Sequence, residues 1–258
     1  MTAVARVTAL GRAEGLLLRR NPTSLLIALA SPIGLLAFFR ASGMDFGPGY
    51  GATLVITMTA VALIFVVYYN LVTSLVARRQ ELVLKRLRTG ELGDVEIIAG
   101  TAGPSVVIAW GQILISIVVA VLGADLGRPV NPALVLIAVG LGTAVFVLLA
   151  AATTVLTASV ELAQFTTTPF TVVPLLLSGV MVPLDQLPEA VQQVFRVLPL
   201  TPVVELLRLG LTGTTRNGGT VGLAGSFAPA VLPLLVLAGW LVAAGWLTRR
   251  WFRWEPRR

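Results

Sequence analysis

Six long apolar segments, each bounded by charge or by turn residues, constrain this chain more than any other feature. A helix rises about 1.5 Å per residue, so about 20 apolar residues cross the hydrocarbon core of a bilayer. The segments run over residues 23–39, 52–77, 95–122, 133–159, 166–182 and 228–248. The third opens on a Gly103-Pro104 interruption, and the fifth is short and holds Pro169 and Pro174. Proline is tolerated in a span where neighbours satisfy the freed carbonyls. Only 12% of residues are charged and the mean hydropathy is +0.90, whereas soluble domains carry about 25% charged residues. The reading is an all-α integral membrane protein, one domain over residues 1–258, with six transmembrane helices.

Absences narrow the chemistry. The chain has no Cys and no His, which removes thiol nucleophiles, disulfides, Cys or His metal sites and imidazole proton transfer. A P-loop needs Gly-Lys followed by Ser or Thr. Lys85, the only lysine, follows Leu84, so any ATP is bound by another polypeptide. The net charge of +7 sits beside apolar spans, which points to topology and anionic lipid rather than nucleic acid. The first twenty residues carry Arg6, Arg12, Arg19 and Arg20 without a compact apolar core and cleavage site, so no cleavable signal peptide is expected.

Arginine and lysine counts set the orientation. The N-terminal segment, the stretch after span two (Arg78, Arg79, Lys85, Arg86, Arg88) and the tail (Arg249, Arg250, Arg253, Arg257, Arg258) hold most of the 19 basic residues. Arg40, Arg128, Arg196, Arg208 and Arg216 fall in the opposite loops. Both termini are therefore expected in the cytoplasm, with the chain in a bacterial inner membrane. The loop after span four carries Glu161 and no basic residue. The tail, with Trp251, Phe252 and Trp254, suits the headgroup level.

Three further segments carry amphipathic patterns. Residues 3–20 read as an interfacial helix with Val4, Val7, Leu10, Leu17 and Leu18 on one face, ended by Asn21-Pro22. Residues 81–90 read as a short helix with Val83, Leu84 and Leu87 on one face and Glu81, Lys85 and Arg88 on the other. Glu81 and Lys85 are spaced for an i,i+4 pair, and Gly90 ends the helix. A plain topology loop is the alternative. Between 184 and 213, Leu187, Val191, Val194, Phe195 and Leu198 share a face, with Asp185 as N-cap and Pro188 in the first turn. A second helix restarts with Thr201 as N-cap and Pro202 at N1 and runs to about Leu211, before Gly213.

Two motifs resemble the integral-membrane subunit of ABC-2 type transporters. One is the stretch with Glu81, Leu84, Leu87, Arg88 and Leu92, where Gly90-Glu91 replaces the usual small-residue and Pro step. The other is Leu177 to Gly179, Pro183-Leu184, Leu187-Pro188 and Leu198 to Thr201, followed by Glu205 and Arg208. The resemblance implies an interfacial elbow helix over 1–22, spans one to five over 23–182, re-entrant external helices over 183–213, span six over 228–248 and a cytoplasmic tail over 249–258. It implies a coupling helix, with Glu81, Val83, Leu84, Lys85, Arg86, Leu87 and Arg88, that docks on a separate ABC ATPase. Two ATPase copies would hold ATP and Mg2+, and the chain itself would be no enzyme and hold no cofactor or metal. A second permease, identical or related, would complete the unit.

Cargo would then pass along spans two and five, past Tyr68, Tyr69, Asn70, Gln164, Thr166, Thr167 and Thr168, each of which could instead simply pack or bond helix backbone. The scarcity of charge within the spans favours amphipathic or hydrophobic cargo, drug-like or lipid-like. Export of a glycan or peptide, or ATP-independent transport, stands as the alternative. An ion-coupled pump would need intramembrane carboxylates, and an embedded enzyme would need a cluster of acids or His.

Overall fold

In the computed structural model of the chain, residues 30–31, 33–38, 41, 49–89, 92–180, 188–216, 218–252 and 254–255 are described. They are helical throughout their length apart from short connections, with one isolated bridge between Thr214 and Thr220. Among the described residues, five helices are long and apolar enough to cross a membrane. The interfacial helix expected over 3–20, its Asn21-Pro22 break, most of the first expected span, Gly90, Glu91 and Asp185 lie outside the described residues.

Helix α1 (Tyr50–Gln80) is the axis of the bundle, and its apolar window is 72% buried. It contains an eight-residue π-helical stretch, Ala62–Tyr69. Its half-buried or exposed positions include Thr53, Thr57, Val61, Phe65, Tyr69 and Thr73, spaced by four. In a pure α-helix such a row drifts sideways by about 40° per step. The wider π winding turns it back, so the row stays on one side of α1.

Helix α2 (Val83–Arg88) follows after a two-residue joint. Helix α3 (Asp94–Gly123) runs through Pro104 without a break. Helix α4 (Pro132–Thr153) starts at the Asn131 cap, whose Oδ1 accepts from the Leu134 amide at 3.3 Å, and ends in a 3-10 turn, Thr154–Leu156. Helix α5 (Val160–Leu177) starts six residues before the span read from hydropathy. The extended Ser159 backbone sets its start, and Glu161 and Gln164, which lowered the local hydropathy, are helical residues rather than loop. Helix α6 (Glu189–Arg196) begins with an extended Pro188 as N-cap, so the proline precedes the helix instead of sitting in its first turn. Helix α7 (Thr201–Thr212) takes Thr201 into its first turn, leaves Leu200 as the cap, and closes on Gly213 at φ 70°. Helix α8 (Phe227–Trp251) completes the chain.

α3 and α4 flank α1, α8 and α7 pack on α4, and α5 packs on α1. Lipid is as apolar as leucine, so close packing rather than exclusion from water holds such helices together. Small residues permit it. Gly210 of α7 lies so close to α4 that a Cβ would stand 2.8 Å from Val135 Cγ2 and 3.0 Å from the Asn131 carbonyl oxygen. The Asn131 amide donates to the Gly210 carbonyl at 2.9 Å. Three buried hydroxyls are satisfied by their own helices: Thr59, Thr101 and Thr143 each donate to the carbonyl four residues back, at 2.7–2.8 Å. α7 is largely buried, with Val203, Leu206 and Leu207 fully enclosed.

Candidate coupling site and transport path

The two-residue joint between α1 and α2 turns on one left-handed residue, Leu82 at φ 60°. Glu81 caps α1 rather than opening α2, so the expected Glu81–Lys85 pair on one helix does not form. Lys85 Nζ instead lies 2.9 Å from Glu255 of the tail. Arg88 Nε lies 3.3 Å from Asp94 at the start of α3, and its guanidinium stands 5.0 Å over the Trp254 ring. Exposed ion pairs contribute about 0–1 kcal/mol each, and an exposed cation–π contact about 0.5–1 kcal/mol. Together they hold α2 against α3 and the tail. The tail therefore rests on α2, with Trp254 edge-on to Phe252 at 4.7 Å, rather than serving only as a headgroup anchor.

Leu84 is fully enclosed in the chain's own core, while Val83 and Leu87 are half-buried. Among the described residues of this corner, Glu81, Leu82, Lys85, Arg86, Arg88 and Thr89 are exposed. Leu84 thus fixes α2 to the bundle, and the described surface left open is cationic with one exposed leucine.

Sequence reading counted Arg79 among the loop arginines. The structure buries it to 2% exposure, one turn before the joint. Its Nη1 donates to the Thr154 carbonyl at 3.0 Å, and its Nη2 donates to the Thr157 carbonyl. These carbonyls close α4, where unpaired acceptors and the helix dipole favour a cation. Thr157 Oγ1 in turn pairs with Thr166 Oγ1 of α5 at 2.8 Å. The end of α1, the end of α4 and the start of α5 are thus tied through one guanidinium. A signal for it existed: Val72, Leu75, Val76 and Arg79 recur at helical spacing on the buried face of α1.

The expected path residues divide into two sets. Tyr68 is buried, its hydroxyl 3.1 Å from Thr153 Oγ1, with its ring against Phe146 and Phe170 at 6.4 and 6.2 Å. Thr167 is buried and donates to the Ala163 carbonyl at 2.6 Å. Both pack the bundle interior. Asn70, Gln164 and Thr168 are exposed, and Tyr69 and Thr166 are half-exposed. α5 buries only Ala163, Thr167, Thr171 and Pro174, one narrow stripe. Its remaining surface carries Glu161, Gln164 and Thr168 among large apolar side chains, with Phe165 74% exposed.

These elements define a multi-pass, all-helical membrane protein. Residues 5–212 match the ABC-2 type transporter family, and the chain belongs to that family. No curated protein matches it.

Proposed function

We propose that the chain is the permease subunit of an ABC exporter. Two permeases, identical or related, work with two copies of a separate ATPase that binds ATP and Mg2+. In this reading the segment over 23–39 supplies the first of six spans, α6 and α7 are the external helices, and both termini lie in the cytoplasm of a bacterial cell. Cargo is amphipathic or hydrophobic and leaves the cytoplasm along the exposed sides of α1 and α5, past Asn70, Gln164 and Thr168. The observation that supports this reading best is α2: a short helix fixed to α1, α3 and the tail, with an outward face of Leu82, Lys85 and Arg86. A rigid corner transmits the closure of a partner, whereas a loose loop would absorb it. Apolar anchors usually dominate an interface and charges set register, so Leu82 is the anchor and Arg86 a rim contact.

Purification in mild detergent from cells that also express the neighbouring genes tests this. An ATPase should copurify with the wild type and be lost with Leu82→Asp. Leu84→Ala should lower the thermal stability of the permease, because it hollows the core beneath α2. Wild-type chain that reproducibly purifies without an ATPase would overturn the reading.

A further inference from the structure

At the end of the bundle away from α2, a cleft of about 490 Å³ opens between the end of α5, the helices α6 and α7, and the start of α8. Arg196, Arg208 and Arg216 line it, with Glu205 as the only acid among its lining residues. Arg216 holds both Glu205 oxygens, at 2.7 and 2.6 Å, so that acid is already neutralised. Arg196 donates to the neutral Gln192 at 2.7 Å, and Arg208 donates one bond to the Gly179 carbonyl at 3.1 Å. A guanidinium has five N–H donors. Donors therefore remain at both, and the described lining of the cleft is left with an excess of two positive charges.

A second observation points the same way. Ser178, in the wall of this cleft, is fully buried, and its Oγ has no hydrogen-bond partner among the described residues. A buried hydroxyl without a partner costs about 1–3 kcal/mol, so such groups are rare unless something completes them. The first turn of α8, at Ala228 and Pro229, also borders the cleft and adds the positive end of a long helix. The rest of the lining, with Leu209, Leu232 and Pro233, is apolar.

We infer that this cleft binds an amphipathic anion: a phosphate or carboxylate head held by Arg196, Arg208 and Ser178, with an alkyl portion along Leu209 and Leu232. The site stands independently of the exporter reading, since binding is measured without transport. Its ligand could be a membrane lipid headgroup or a free amphiphile, which share this chemistry.

The test is calorimetric titration of the full chain in zwitterionic phosphatidylcholine nanodiscs with hexyl phosphate, inorganic phosphate and hexyltrimethylammonium. Hexyl phosphate should bind saturably and one to one, more weakly as ionic strength rises. The double variant Arg196→Gln/Arg208→Gln should weaken it at least about tenfold, and Ser178→Ala about threefold, the size of one lost hydrogen bond. Glu205→Gln should tighten it about threefold by releasing the Arg216 charge, a gain that misfolding cannot mimic. Equal affinity in the double variant together with no gain in Glu205→Gln would overturn the proposal. So would equal binding of the cation. Inorganic phosphate binding as tightly as hexyl phosphate would overturn the amphipathic part. Phosphatidylglycerol nanodiscs separate the sources: loss of hexyl phosphate binding there identifies a lipid headgroup as occupant, and unchanged binding identifies a free amphiphile.

Discussion

Arg79 shows how a charge can be structural inside a membrane bundle. Its two donations to the Thr154 and Thr157 carbonyls replace the water that a helix end would otherwise find. Hydrogen bonds to a charged group contribute about 1.5–3 kcal/mol each. Arg79→Met should therefore destabilise the permease by about 3 kcal/mol or more, read as a lower midpoint of thermal unfolding in detergent. Arg79→Lys should recover part of it, because one ammonium cannot span both carbonyls as a guanidinium does. A midpoint unchanged in Arg79→Met would show that the clamp holds nothing. The burial of Arg79 was legible in the sequence, since it continues the row of Val72, Leu75 and Val76. Its partners were not, because they are backbone carbonyls 75 and 78 residues away that no side-chain pattern announces.

At the scale of the element, the joint between α1 and α2 is stiff because its hand is fixed. A non-glycine residue in the left-handed region costs about 1–2 kcal/mol. Glycine removes that strain but adds about 0.5–1 kcal/mol of chain entropy lost on folding. Leu82→Gly should thus leave the unfolding midpoint nearly unchanged while reducing ATPase stimulation, since the joint becomes compliant and the anchor side chain is lost. Leu82→Val should lower the midpoint, because a β-branched side chain fits this backbone worst. The reverse ranking would place the role of Leu82 in its side chain alone. Hydropathy found the starts of α3, α4 and α8 to within a residue. It misplaced α5, because Glu161 and Gln164 lie inside a helix that buries a single stripe. Within α7, Glu205 and Arg208 face the cleft while the other sides of the helix are enclosed. Polarity along a sequence does not tell an outer surface from the wall of a cleft.

For the whole molecule, the open surface of α5 is an unfinished feature of the bundle. Polar groups facing lipid are costly, and Gln164 and Thr168 lie among exposed Phe165, Val172 and Leu176. In the proposed pair this surface meets the cavity and the second permease. With no native cysteine, the arrangement is open to single-cysteine crosslinking. Where the second permease is a copy of this chain, Phe165→Cys should give a covalent dimer in native membranes, whereas Leu122→Cys, on the 82% exposed flank of α3, should not. Crosslinking at position 122 and not at 165 would put the pairing face elsewhere. The corner at α2 was only half legible: the charges of α2 stood out, but their engagement with Trp254 and Glu255 joins segments far apart in the chain, beyond the reach of periodicity.

The narrow seam of Ala163, Thr167, Thr171 and Pro174 carries one further consequence. A solitary copy of this chain would insert and fold around α1, yet display an unfinished helix to any protease that patrols the membrane. If the second permease is what covers it, cellular abundance follows assembly rather than synthesis. Copies made in excess of their partner would be short-lived, and the stoichiometry of the transporter would be enforced by turnover.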